Sequence, residues 1–132
     1  MLPLLLAAVL GCGDLCVDDA RRAYADLLEA GGYGRLQHER AAFLVRVGDR
    51  ITTQAWSNGS FQRVTFRGVI PEGTIAIAHT HPRDLPWPSA HDREEAKRKG
   101  IPIIVITPKA VVLTDIDGSV RTLLREPAWW ER

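Results

Sequence analysis

Two histidines and an aspartate have the types and spacing of a metal site. His79 and His81 alternate along a segment with the pattern of a strand, so both imidazoles project to the same side. Imidazole nitrogen and carboxylate oxygen are ligands of zinc, and three protein ligands leave a fourth tetrahedral position for water. Zinc lowers the pKa of such a water to about 7, which supplies hydroxide at neutral pH. With Asp92 as the third ligand, the sequence predicts a catalytic site with one Zn²⁺ ion.

A short connection between the strand and the next helix is expected to bring the aspartate back to the histidines. The segment 82–88 contains three prolines and Trp87, which restrict its backbone. Ser89 then begins a helix and places Asp92 in its first turn, at the end that faces the strand. Each piece also has a plain structural explanation: Ser89 and Asp92 are typical of a capping box, and two histidines on a strand occur without a role. The combination favours the metal site.

The motif His79-Thr80-His81-Pro82, followed by six residues and then Ser89-Ala90-His91-Asp92, resembles the signature of the JAMM (MPN+) metalloproteases. The resemblance covers residues 17–125. It implies that His79, His81 and Asp92 bind zinc and that Ser89 donates a hydrogen bond to the oxyanion of the tetrahedral intermediate. It also implies that Glu39 is the general base.

Glu39 is identified by its place at the first strand after the first helix, although the residues after it lack the cysteine and glycine common in relatives. Glu72 is the rival carboxylate, but it lies in a Pro-Glu-Gly turn.

The same resemblance implies a fold and a reaction. The fold is of the α/β class, an α+β sandwich with a mixed central β-sheet flanked by helices and a cytidine-deaminase-like architecture. The reaction is hydrolysis of a peptide or isopeptide bond in a peptide or protein substrate. A non-catalytic MPN-like scaffold module is the alternative, and such modules typically lose the metal ligands that this chain retains.

Hydrophobic periodicity and turn residues predict the elements that would position these side chains. On the histidine strand, Ile75 and Ile77 share the face of the two histidines. Ala76, Ala78 and Thr80 lie on the other face and are small enough for a helix to pack closely. The predicted elements are helices over residues 17–30 and 89–99 and strands over 41–45, 51–56, 61–69, 74–81, 101–106, 110–114 and 119–124, with 101–106 as the central strand.

The N-terminal residues are predicted to be an export signal. Residues 2–10 are all apolar, too few to span a bilayer, which needs about 20, but typical of a signal-peptide core. Val9-Leu10-Gly11-Cys12 resembles a lipoprotein cleavage box, in which a lipidated Cys12 would attach the protein to a membrane. We therefore expect residues 1–16 to be a signal segment, residues 17–132 to be one domain, and the protein to be exported to the cell envelope or periplasm. If the segment is structural instead, the protein is cytoplasmic, and a disulfide between Cys12 and Cys16 is the alternative to lipidation.

The composition and charge give no indication of a nucleic-acid partner. With 17 basic and 16 acidic residues the net charge is +1. The sequence has no clustered basic face of the kind that binds nucleic acid. Among the remaining side chains, His91 and Asp84 are expected to face solvent. Trp87 either lines the cleft or packs the loop. Trp129 and Trp130 are expected to pack against the core.

Overall fold

A mixed β-sheet with a helix on each face forms the domain. The computed structural model describes residues 12–34, 39–56, 69–81, 85–125 and 127–131. Within them the helices are α1 (Asp18–Ala30) and α2 (Ala90–Lys99), and the strands are β1 (Ala41–Val47), β2 (Arg50–Ala55), β3 (Thr74–Thr80), β4 (Ile103–Ile106), β5 (Val111–Thr114) and β6 (Val120–Leu124). The predicted α+β architecture is confirmed.

The strand order places the histidine strand at the centre of the sheet. The order is β2-β1-β3-β4-β5-β6, and β3 runs parallel to β4 while the other neighbouring strands are antiparallel. A helical crossover through α2 joins the parallel pair, as such a connection requires. The predicted central strand, 101–106, is confirmed, and the strands predicted over 110–114 and 119–124 form an antiparallel pair. The strand predicted over residues 61–69 lies outside the described residues, apart from Val69.

The face of the sheet that packs against α1 is apolar; we call it the core face. Tyr24 and Leu28 of α1 are fully buried against small and branched residues of the central strands, among them Ala76, Ala78 and Ile104. Small side chains on β3 let the helix approach closely, as the sequence predicts. Trp129 is also buried here, and its indole N–H donates to the Thr107 carbonyl at 2.9 Å.

The opposite face, which we call the site face, packs against α2. Its apolar cluster is smaller and consists of Phe43, Val45, Ile77, Ala96 and Ile103. The helix has one apolar residue in the cluster, Ala96, and the rest of its sequence is mostly charged. It ends at Gly100, whose left-handed conformation (φ 66°) suits glycine.

The predicted N-terminal signal segment, residues 1–16, lies mainly outside the described residues, and its role stays a prediction. The described part is a short 3₁₀ turn, Gly13–Cys16, in which Leu15 is buried and its carbonyl accepts a hydrogen bond from the Tyr24 hydroxyl at 2.8 Å. Cys12 and Cys16 form a disulfide. Because that bond uses the Cys12 sulfur, it and lipidation of Cys12 exclude each other. No helix in the described ranges is long and apolar enough to cross a membrane.

Candidate metal centre

The two histidines lie where β3 reaches the end of the sheet. His79 pairs with Ala41 of β1 on one side and Val105 of β4 on the other, so its backbone is fixed by both neighbours. His81 follows the strand, and its N–H donates to the Ile106 carbonyl at 3.3 Å. The imidazole rings meet edge to face, with centroids 4.9 Å apart. The predicted projection of both rings to one side is confirmed.

The aspartate reaches both imidazoles from the first turn of α2. Asp92 is buried, and its Oδ1 lies 3.2 Å from His79 Nε2 while its Oδ2 lies 3.4 Å from His81 Nε2. The capping box is also present: the Asp92 N–H donates to Ser89 Oγ at 3.1 Å, and the Ser89 N–H donates to Asp92 Oδ2 at 2.9 Å. The capping-box explanation is therefore confirmed, and the cap also fixes the Asp92 carboxylate where it meets the two histidines.

A backbone carbonyl in the connecting loop orients His81. His81 Nδ1 lies 3.0 Å from the Leu85 carbonyl oxygen. A carbonyl only accepts, so His81 Nδ1 donates in this contact, and Nε2 is the nitrogen that faces Asp92. Hydrogen bonds of this kind hold the ligating tautomer in metal sites. Nothing in the sequence pattern pointed to Leu85, because a backbone carbonyl has no signal in residue type.

Glu39 approaches the other ring nitrogen of His79. Its Oε2 lies 3.5 Å from His79 Nδ1, although 40 residues separate the two positions. One ligand atom from each of Glu39, His79 and His81 lies within 4.8 Å of the other two. The structure thus brings Glu39, His79, His81 and Asp92 together. Glu72, the rival carboxylate, is exposed in the turn before β3.

The charges of these groups depend on one another. Burial lowers the pKa of the His79 imidazole, but contacts with the carboxylates of Asp92 and Glu39 outweigh it and raise that pKa to about 9. Burial alone would raise the pKa of the Asp92 carboxyl, and its contacts with the two imidazoles hold that pKa well below its usual range. At neutral pH in the metal-free protein, this raised pKa favours the protonated His79 imidazole.

Both ring nitrogens of His79 are buried, and within the described residues neither has a hydrogen-bond partner of good geometry. A buried polar atom in that condition is costly unless another ligand completes it. Two imidazoles with carboxylates on either side are also a donor set that transition metals accept. The cluster can hold a metal ion.

The other side chains singled out from the sequence differ in their exposure to solvent. His91 is exposed, as predicted. Trp87 is 55% exposed, which does not match a side chain that packs the loop. Trp129 is buried and Trp130 half-buried against the core, as predicted. Asp84 lies outside the described residues.

Comparison with known proteins agrees with this geometry. A family model described as prokaryotic homologs of the JAB domain matches residues 16–122. The match covers most of the chain, so the protein belongs to the prokaryotic JAB-domain family, and the resemblance to JAMM-type domains drawn from the motif is confirmed. No curated protein matches the chain.

Proposed function

We propose that this protein is a zinc-dependent peptidase that hydrolyses a peptide or isopeptide bond. The observation that carries the proposal is the convergence of His79 Nε2, His81 Nε2 and the two oxygens of Asp92, at 3.2 and 3.4 Å. JAB-domain membership adds support, since that family includes hydrolases.

Asp92 rather than Glu39 would be the third ligand of the ion. An imidazole offers one lone pair to an ion, and the Nε2 atoms of both histidines face Asp92. Glu39 instead approaches the Nδ1 atom of His79. Zinc, when bound, supplies Lewis-acid activation of a water molecule and of the scissile carbonyl.

Glu39 acts as the general base. Its carboxylate is beside the ion-binding groups and mostly shielded, and it makes no salt bridge with lysine or arginine among the described residues. It takes a proton from the attacking water and passes that proton to the leaving amine.

Ser89 stabilises the oxyanion that forms as water adds to the carbonyl. Its hydroxyl oxygen accepts the Asp92 N–H, which fixes the oxygen but leaves the hydroxyl proton available to donate. The side chain is exposed, so a substrate can reach it. A donor fixed before the reaction stabilises developing charge without reorganisation.

The test combines metal analysis with Glu39→Gln. We expect one zinc per chain in the purified protein, and hydrolysis of unfolded protein or peptide substrates that chelation abolishes and zinc restores. The Glu39→Gln variant should keep its zinc and lose about 100- to 10,000-fold in kcat, the range for a missing general base. The matched control is Glu72→Gln, which changes an exposed turn carboxylate and should leave kcat unchanged.

Two results would contradict the proposal. Absence of stoichiometric zinc would contradict the enzyme and favour a scaffold module. If Glu39→Gln instead lowers zinc affinity by about 10- to 100-fold, Glu39 orients His79 through the Nδ1 contact rather than acting as the base.

A further inference from the structure

Thr80 stands between the two metal-site histidines, but its side chain lies on the core face. It is 2% exposed, and its Oγ1 accepts a hydrogen bond from the Arg40 N–H at 2.9 Å. The Thr80 N–H in turn donates to the Arg40 carbonyl at 2.8 Å. A single residue of β3 therefore binds both polar groups of the Arg40 backbone.

These two bonds fix the backbone of Arg40, the residue directly after Glu39. The Arg40 nitrogen belongs to the peptide group that follows Glu39, so the bond from Arg40 N–H to the Thr80 hydroxyl fixes the plane attached to the Glu39 Cα. Glu39 itself precedes β1, and the residue pairs between β1 and β3 begin at Ala41 and His79. The Thr80 contacts extend the hydrogen bonding between β3 and the β1 chain to Arg40, one residue before those pairs begin.

We propose that Thr80 is a positioning residue that holds the Glu39 carboxylate beside His79, so that the general base and the metal ligands are placed by the same strand. The inference rests on the proposed function for its catalytic consequence, but the positioning itself does not. Glu39 Oε2 lies 3.5 Å from His79 Nδ1, and a displacement of about 1 Å at such a distance can cost on the order of 100-fold in rate.

The end of α1 restricts the Thr80 side chain from the other side. A Cβ added at Gly31 would lie 3.0 Å from Thr80 Oγ1 and 3.4 Å from its Cβ and Cγ2. Gly31 has an ordinary backbone conformation, with φ −84°. Its lack of a side chain is therefore explained by the close approach to Thr80 and not by its backbone. The hydroxyl has little room to turn away from Arg40.

Three variants separate the hydroxyl from the shape of the residue. Thr80→Val keeps the branched shape and removes the hydroxyl, and Thr80→Ser keeps the hydroxyl. The matched control is Thr114→Val on β5, because Thr114 is fully buried and its hydroxyl has no hydrogen-bond partner among the described residues. It reports what the loss of a buried threonine hydroxyl does without a role in positioning.

One readout needs neither metal nor activity. In the metal-free protein, the nuclear Overhauser effect between the Glu39 side chain and the His79 ring measures their proximity. We expect Thr80→Val to weaken it and Thr80→Ser and Thr114→Val to preserve it. Exchange of the Arg40 amide hydrogen should also accelerate in Thr80→Val alone.

The second readout is kinetic. Thr80→Val should lower kcat by about 10- to 100-fold with KM and zinc content unchanged, and Thr80→Ser should restore most of the rate. In a Glu39→Gln background Thr80→Val should cause no further loss, since two residues that act as one unit are not additive.

The outcomes separate this inference from the proposed function. An unchanged Glu39–His79 contact in Thr80→Val overturns the positioning role, whatever the enzyme activity. A weakened contact in a protein without peptidase activity supports positioning and contradicts the proposed function. If Thr80→Val does not fold, Gly31→Ala tests the same point by crowding the hydroxyl, and an unchanged contact there overturns the inference.

Discussion

The core face and the site face of the sheet share β3 but differ in how they are stabilised. On the core face, Ala76 and Ala78 are completely buried beneath α1, in a cluster that includes Tyr24 and Leu28. On the site face, the same strand presents His79 to a mostly charged helix. The core face therefore supplies most of the apolar burial, and the site face holds polar groups in place through a cap and carboxylate contacts.

This difference separates stability from chemistry within one strand. Burial on the core face contributes roughly 25 cal/mol per Å² of apolar surface, so its side chains decide whether the domain folds. The site face gives up part of that contribution to keep His79 and Asp92 buried together. Substitutions on the two faces should therefore produce opposite phenotypes.

The largest effect is expected for Asp92→Asn on the site face. Asparagine can still accept the Ser89 N–H and keep the cap, but it removes the negative charge that faces both histidines. We expect zinc affinity to fall by more than about 100-fold, beyond the usual effect of losing a residue that only supports a ligand. Peptidase activity should become undetectable. Zinc titration and activity assays measure both effects.

The control for Asp92→Asn is Asp117→Asn in the β5–β6 turn. Its carboxylate bonds Ser119 on the surface and should not affect zinc binding. If Asp92→Asn retained full zinc affinity, Glu39 would replace Asp92 as the third ligand.

Leu28→Ala on the core face should give the opposite result. Leu28 is fully buried under the sheet, and truncation of such a side chain costs about 2–5 kcal/mol of unfolding free energy. Zinc affinity and activity per folded molecule should be unchanged. Urea unfolding of the metal-free protein measures the cost.

Val47→Ala is the control for Leu28→Ala, because Val47 is 60% exposed and its truncation should cost less than about 0.5 kcal/mol. A loss of zinc affinity in Leu28→Ala that persisted in the folded fraction would contradict the separation of the two faces.

The sequence predicted the contacts that depend on local patterns and missed those that depend on long-range strand pairing. The convergence of His79, His81 and Asp92 was predictable because it depends on strand alternation and a short loop, which are both local. The contact of Glu39 with His79 depends on pairing between β1 and β3 across 40 residues, and no local pattern specifies that register. The family resemblance, and not a local pattern, identified Glu39 as a site residue.

Two further features were outside the reach of sequence patterns. Thr80 was predicted only as a small residue for helix packing, because a hydroxyl that accepts one backbone N–H has the same sequence pattern as one that does not. The Cys12–Cys16 disulfide was one of two alternatives, since the spacing of two cysteines does not decide between pairing and lipidation.

Ser89 tests whether capping and catalysis can be separated at one residue. Ser89→Ala and Ser89→Gly both remove the hydroxyl, so both should lower kcat by about 100-fold. Their stabilities should differ, since alanine at a helix N-cap costs about 1 kcal/mol and glycine only a few tenths. If the kcat values of the two variants differed in the same order as their stabilities, Ser89 would be assigned to the cap alone. Thermal unfolding and steady-state kinetics give the two quantities.

The smallest effect is the pH dependence of zinc binding, which should be confined to the site face. In the metal-free protein the His79 pKa is about 9, because contacts with Asp92 and Glu39 outweigh its burial. Zinc needs the neutral imidazole, so its affinity should rise about tenfold per pH unit up to pH 9 as the competing proton leaves. Calorimetry in buffers of different ionisation enthalpy should detect about one proton released from His79 at pH 7.

The raised pKa of His79 also makes the stability of the metal-free fold depend on pH. A pKa raised above the unfolded value stabilises the metal-free fold fully below about 6.5, and this contribution is lost as the pH rises through about 9. Leu28→Ala should lower stability equally at both ends of this range, because it changes no charge. Asp92→Asn should reduce the pH dependence itself, since it removes the larger of the two carboxylate contacts that raise the His79 pKa. An unaltered pH dependence in Asp92→Asn would mean that Glu39 alone holds the proton on His79.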